Sequence, residues 1–217
     1  PEFCVAPNTL ALLKEIGQSG ELDALVKERV WQEFSRGFLS ERPSRMFDVL
    51  EAIGVFEKFF PSELLTKNNR KFFNFIDQSA SSDFNLQQRC AILFAGLSTE
   101  IINAWCSKWG IPSECKDYAL LSSEIHEAIG QGLTSAADIL QILDRVDVWR
   151  KPDRFNELIK TAQLIGDPVD VLVRSHLAAK KVNVADIAAR FNQHGSGELI
   201  KIAINDARRD AIKEVLV

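Results

Sequence analysis

The stretch from Gly20 to Phe34, GELDALVKERVWQEF, limits what the chain can fold into more than any other. Val30, Phe34 and Phe38 recur at the spacing of one helical face, and Trp31 widens the apolar stripe beside them. That face must be buried in a core. The opposite face carries Glu28, Arg29, Gln32 and Glu33. Arg29 and Glu33 stand one turn apart with the cation on the N-terminal side, the weaker orientation, which contributes at most a few tenths of a kcal/mol. A solvated surface accounts for the pair as well as any dedicated role.

Helix signals recur along the whole chain. Asn8 or Thr9 is expected to cap a first helix striped by Leu10, Leu13 and Ile16 that ends near Ser19-Gly20. Pro43 opens another, with Met46, Phe47, Leu50 and Ile53 on its apolar side and Gly54 at its end. Phe72, Phe73, Phe75 and Ile76 form an aromatic helix whose spacing suits a core better than a base-stacking platform. Asp83 is expected to cap a helix from Phe84 to Leu97; Gly110 closes one from Thr99 to Trp109, and Gly130 one from Pro112 to Ile129. Ser135 caps Ala136 to Val146, Pro152 opens a helix to Ile165, and Pro168 opens another to about Lys180. Asn183 caps Val184 to Phe191, and a last helix runs from about Glu198 to Val217. No strand pattern and no fixed repeat period occurs, so the fold is expected to be all-α, a multi-helix array with no sheet. Gly130-Gln131-Gly132 reads as the most flexible connection and a domain boundary. With no strand before it, it is not a phosphate-binding loop.

The formal net charge of -4 argues against a general electrostatic nucleic-acid binder but leaves room for a local basic stripe. Cys4, Cys90, Cys106 and Cys115 lack Cys-x-x-Cys spacing, and only three histidines are present, so the cysteines read as reduced, buried hydrophobes and no metal site is expected. No apolar run reaches the ~20 residues that cross a bilayer, and a cytoplasmic location is expected. Pro1-Glu2-Phe3 resembles a cloning scar, as if the chain were part of a larger protein.

Three motifs, in order, carry a family resemblance. Glu28-Arg29-Val30-x-x-Glu33, after Gly20-Glu21-Leu22, resembles the last motif of the class II tRNA nucleotidyltransferases, the bacterial CCA-adding enzymes and their relatives the poly(A) polymerases. Asp147-Val148-Trp149-Arg150-Lys151-Pro152-Asp153-Arg154 is similar to the Asp-x-Trp-Arg-Lys-Pro run of bacterial CCA-adding enzymes. Gly197-x-x-Ile200 with Ala207-Arg208-Arg209 and Ile212 matches their C-terminal pattern, and Val55 to Pro61 continues the likeness. One departure is at Val26-Lys27, where the family usually has Ser or Thr followed by Pro; losing that cap costs about 1 kcal/mol, leaving the helix to rely on packing.

The resemblance implies neck helices over residues 1–42, a helical body over 43–130 and a helical tail over 131–217, with an N-terminal catalytic head missing. Glu28, Arg29 and Glu33 would brace the neck against that head. The head would hold the Mg²⁺, CTP and ATP for adding CMP and AMP to a tRNA 3′ end, so this chain is expected to have no catalytic residue and no cofactor of its own. Where many CCA-adding enzymes carry the His-Asp pair of a phosphohydrolase, this sequence has Ala95-Gly96, which offers no metal ligand, and His126 falls near another family histidine. What remains is positioning of the tRNA acceptor stem and T arm. The candidate phosphate contacts are Arg150, Lys151, Arg154, Lys180, Lys181, Arg190, Lys201, Arg208 and Arg209. The same region of a poly(A) polymerase or of a partial-CCA-adding enzyme is the alternative. Lys213 to Val217 lacks the basic run that poly(A) polymerases tend to end in. A helical protein-interaction module is the rival from another class.

Overall fold

The computed structural model describes residues 5–190 and 197–216. Pro1-Glu2-Phe3, Cys4, Phe191 and Val217 lie outside the described residues. The rest is helical with no strand: α1 Pro7–Gln18, α2 Lys27–Phe38, α3 Ser44–Ala52, α4 Phe56–Phe59, α5 Lys71–Ala80, α6 Leu86–Phe94 and α7 Thr99–Trp109. Then follow α8 Ser113–Gln131, α9 Ala136–Val146, α10 Pro152–Leu164, α11 Asp170–Lys180, α12 Val184–Arg190 and α13 Gly197–Leu216. Two compact units divide between Ser123 and Glu124.

The first unit is built on aromatic side chains. The expected stripe of α2 is the buried one, Val30, Phe34 and Phe38. Phe34 lies 4.6 Å from Phe60, and Phe47 stacks on Phe73 at 4.5 Å, ring centroid to centroid. Phe94 meets Trp105 at 4.5 Å. Phe72, Phe73 and Ile76 are core, as their spacing predicts. The α2 N-terminus at Val26 has no side-chain cap, so its packing is what holds the entry to the helix.

Short helices leave many unpaired backbone groups, and distant side chains close them. Trp105 and Trp109 both donate their indole N–H to the carbonyl of Phe59, at 2.8 and 2.9 Å, filling both lone pairs at the end of α4. Asp77 of α5 accepts from the backbone N–H and the hydroxyl of Ser44 at 2.8 and 2.6 Å, capping α3 from 33 residues away. Arg89, only 6% exposed, donates through Nη1 to the carbonyls of Phe38 and Ser40 at 2.7 and 3.1 Å, and through Nε to that of Phe84 at 3.2 Å.

Some boundaries differ from the sequence-based ones. Pro7, not Asn8 or Thr9, starts α1. Asn85, not Asp83, caps α6, because Gln88 stands three residues on and returns the hydrogen bond in a capping box. α8 continues through Gly130, and the chain reverses only at Gly132, which takes the left-handed φ of 88°. Cys90, Cys106 and Cys115 are free and buried, as expected. Burial pushes the Cys106 thiol up to about 11.

In the second unit α13 lies against α11 and α9. Its core is Ile139, Leu143, Phe155, Leu158, Leu172 and Ile212. His126 Nδ1 meets the Asp167 carboxylate at 2.8 Å, and Arg145 Nε donates to Glu124 at 3.2 Å, so the start of this unit is tied by two side-chain contacts.

Arg89→Leu would strand three backbone carbonyls in a dry site. Each is worth ~1 kcal/mol or more, so urea denaturation should show a loss of about 2–4 kcal/mol in unfolding free energy.

Candidate nucleic-acid interface

The α9–α10 connection is where the charged and aromatic side chains of the second unit converge. Ser135 caps α9 as its position predicts, accepting from the Asp138 N–H at 3.4 Å. The helix ends because Asp147 takes a left-handed conformation, φ 60°, the one non-glycine residue with positive φ among the described residues. Aspartate tolerates that region better than most side chains. The reversal points the Asp147 carbonyl at the N–H groups of Arg150 and Lys151, at 3.1 and 2.8 Å, and Pro152 then starts α10.

Asp147, Trp149, Arg150 and Arg154 each have a hydrogen-bond partner here. The Asp147 carboxylate accepts from Arg150 Nε at 2.9 Å; that hydrogen bond holds the carboxyl below its usual range and raises the guanidinium. Arg154 donates to the carbonyl of Val146, Nε at 3.0 Å, closing the end of α9. Trp149 donates Nε1 to Asp144 Oδ1 at 2.6 Å. Over the Trp149 ring lies the Arg208 guanidinium of α13, 3.6 Å from the ring centroid. Burial lowers the Arg208 pKa, and its Nε is shielded from solvent without a hydrogen-bond partner.

Trp149 and Arg208 stand between two recesses. One, of ≈ 690 Å³, is lined by Asp144, Asp147, Trp149, Arg150, Lys201 and Arg208 among others. The other, of ≈ 190 Å³, is lined on its polar side by Trp149, His176, Lys180 and Arg208. The His176 ring lies 4.8 Å from Phe155 and 5.9 Å from Trp149. Burial first, and then the Lys180 charge, push its imidazole below the usual range.

Of the nine basic residues selected from the sequence, Arg150, Lys201 and Arg208 share the larger recess, and Lys180 joins Arg208 at the smaller. Lys151 is exposed beside Pro152, Lys181 is exposed just beyond α11, and Arg190 is exposed in the last turn of α12. Arg154 faces a helix end, and Arg209 pairs with Asp206 one turn back. Glu28, Arg29 and Glu33 are exposed on α2 in the first unit, where Glu33 pairs with Arg36 at 2.8 Å rather than with Arg29. Trp149 and His176 were not selected as site residues. Trp149 directly before two cations was the available signal; His176 had none.

Among the described residues no group of three or more His, Cys, Asp or Glu side chains is placed to hold a metal ion. Ala95 is buried, and a side chain at Gly96 would run into the Phe72 ring and the Asn69 amide.

Residues 2–63 match the family described as "Probable RNA and SrmB- binding site of polymerase A". The chain is 30% identical to the Multifunctional CCA protein of Herminiimonas arsenicoxydans over 260 aligned positions, covering 98% of this chain and 62% of that protein. It is 32% identical to that of Paraburkholderia phymatum, covering 99% and 62%, and 34% identical to that of Variovorax paradoxus, covering 73% and 46%. The chain thus spans about three-fifths of the length of the first two of these relatives and less than half of the third. An alignment of 260 positions against 217 residues also means that the first relative carries residues this chain lacks. No solved structure matches.

A double-mutant cycle with Trp149→Leu and Arg208→Met should give a coupling of about 1–2 kcal/mol, the range for a partly desolvated cation–π pair. Because the folded state lowers the His176 pKa, the unfolded chain takes up that proton first as the pH falls through the usual imidazole range. Stability is therefore fully present above that range and declines below it. Melting temperatures at about pH 7.5 and about pH 5.5 should differ less in His176→Gln than in the parent chain.

Proposed function

We infer that the chain belongs to the family of the CCA-adding enzymes and poly(A) polymerases over the part of those proteins that it spans, and from that premise we propose that it is their RNA-holding helical portion. The likeness to Multifunctional CCA proteins along nearly the whole chain carries this reading. The RNA is a tRNA, gripped along its acceptor stem and T arm, and the protein works in the cytoplasm. A catalytic head, supplied with Mg²⁺, CTP and ATP, adds CMP and AMP to the 3′ end that this grip presents. The charged face of α2, with Glu28, Arg29 and Glu33, braces against that head.

The chemistry of the grip follows from the cations that the fold leaves available. Phosphates fix register without conveying sequence, which suits a protein that must accept every tRNA. Arg150 is 82% exposed in its side chain and Arg209 40%, and each is held by a carboxylate that a phosphate can displace. Lys151, Lys180, Lys181, Arg190 and Lys201 are exposed. Arg208 and Arg154 contribute by holding α13 and the end of α9 in place beneath them. With net charge -4, attraction is confined to this stripe, so affinity depends on shape as well as charge.

The polymerase A description attached to residues 2–63 favours a second reading, the same portion of a poly(A) polymerase. A tRNA and an unstructured oligo(A) of equal length separate the two.

Binding of the chain to mature tRNA should weaken steeply between roughly 50 and 200 mM salt, with a log–log slope of about -3 to -4 for about four phosphate contacts. Lys201→Ala should lower affinity and flatten that slope by about one. Salt-independent binding, or none at low salt, would overturn the RNA-holding reading.

A further inference from the structure

The smaller recess beside Trp149 is left without a use by a grip on phosphates. Its walls combine three properties. Trp149 and His176 give it aromatic sides, and Val148, Pro152, Ala179 and Val182 give it an apolar floor. Lys180 and Arg208 set two cations at its edge, and Arg208 Nε is a solvent-shielded donor with no partner. A volume of ≈ 190 Å³ equals about six waters at roughly 30 Å³ each, the size of one planar ring and too small for a run of bases.

A partly aromatic slot with an unpaired buried donor favours a ligand that brings an acceptor to that donor and a flat surface to the apolar floor, because an unpaired buried donor is costly and an apolar floor offers water few partners. It selects for a flat heterocycle that carries an acceptor and hangs from an anion. Amino acids and sugars meet only part of that description; a nucleotide meets all of it. Burial, and then the Lys180 charge, push the His176 imidazole below its usual range, and Lys180 and Arg208 set the positive charge at the edge for a flanking phosphate.

We propose that the recess bounded by Trp149, His176, Lys180 and Arg208 is a pocket for one unstacked nucleotide of the bound RNA. The base enters against Trp149 and His176, an acceptor on it takes the Arg208 Nε–H, and a flanking phosphate meets Lys180. This rests on the RNA-holding reading and deepens it: an RNA with an unpaired, extruded base is preferred over a plain duplex carrying the same phosphates. The pocket thus adds recognition of one extruded base to a grip on phosphates.

Val184 sits at the rim of the recess and is 37% exposed, so it can be enlarged without cutting into the core. Val184→Trp fills the slot while leaving every charge in place. The 217-residue chain and this variant would be titrated with an RNA hairpin bearing an unpaired loop nucleotide and with a blunt duplex of equal length. The expected result is an affinity for the hairpin about tenfold lower in the variant, in line with the loss of one stacked base, and an unchanged affinity for the duplex. Equal hairpin affinity in the two proteins overturns the pocket while leaving the phosphate grip intact. Binding of neither RNA by the parent chain overturns the RNA-holding reading and the pocket with it. The parent chain gives an answer even if the variant misfolds: 4-thiouridine at the unpaired position should photo-crosslink within residues 148–184 or at Arg208. Crosslinks confined elsewhere overturn the proposal.

Discussion

The ends of short helices set the terms for this structure. Each end leaves backbone donors or acceptors without partners, and a chain of many brief helices multiplies the problem. Local caps solve it at Asn85, Ser98 and Ser135. Elsewhere the solution is a long side chain reaching in from another helix: Arg89 onto the end of α2, the two indoles of α7 onto Phe59, Asp77 onto Ser44. Lys108 reaches the carbonyl of Lys58 in the same way, at 2.7 Å. These bonds give specificity as well as stability, because each is made only when two particular helices are correctly placed.

The same constraint divides the basic residues into two kinds. Arg154 and Arg208 are held inside the second unit, one by a carbonyl and one by an indole face, and neither moves without loosening the helix it secures. Arg150, Lys151 and Lys201 stand on that foundation with their charges outward. In a run such as Trp-Arg-Lys-Pro-Asp-Arg the last guanidinium therefore serves the end of a helix, while Arg150 and Lys151 stay exposed. A cluster of arginines counted from sequence overstates the number free of a structural partner, since Arg150, Arg154, Arg208 and Arg209 each have one.

Much of the helical framework was legible because its signals are local. Ser135 and the stripe from Ile139 to Val146 specify α9 with no help from the rest of the chain, and Ser98 with Gly110 does the same for α7. The start of α6 was misplaced at Asp83 although Asn85 and Gln88 carry the reciprocal pattern. Gly130 reads as a stop, but a glycine in a helix costs only about 1 kcal/mol, and the left-handed turn that ends the helix is made at Gly132. The aromatic pocket wall was not legible. Trp149, His176 and Arg208 come from three separated segments, and nothing in their spacing announces that an indole, an imidazole and a guanidinium will meet. Arg89 was equally hidden, since a cation in an otherwise apolar run has no visible reason until three carbonyls surround it.

The contact between Trp149 and Arg208 also has a temporal side. Indole and guanidinium are separated by 59 residues, so the wall they form does not exist on a nascent chain until Arg208 has been made. At roughly 5–20 residues per second that interval is several seconds, during which Trp149 is already synthesised but uncovered. The α9–α10 turn, closed by contacts within ten residues, can form well before it. A chain interrupted within that interval has the residues of the local turn but lacks the guanidinium that covers Trp149.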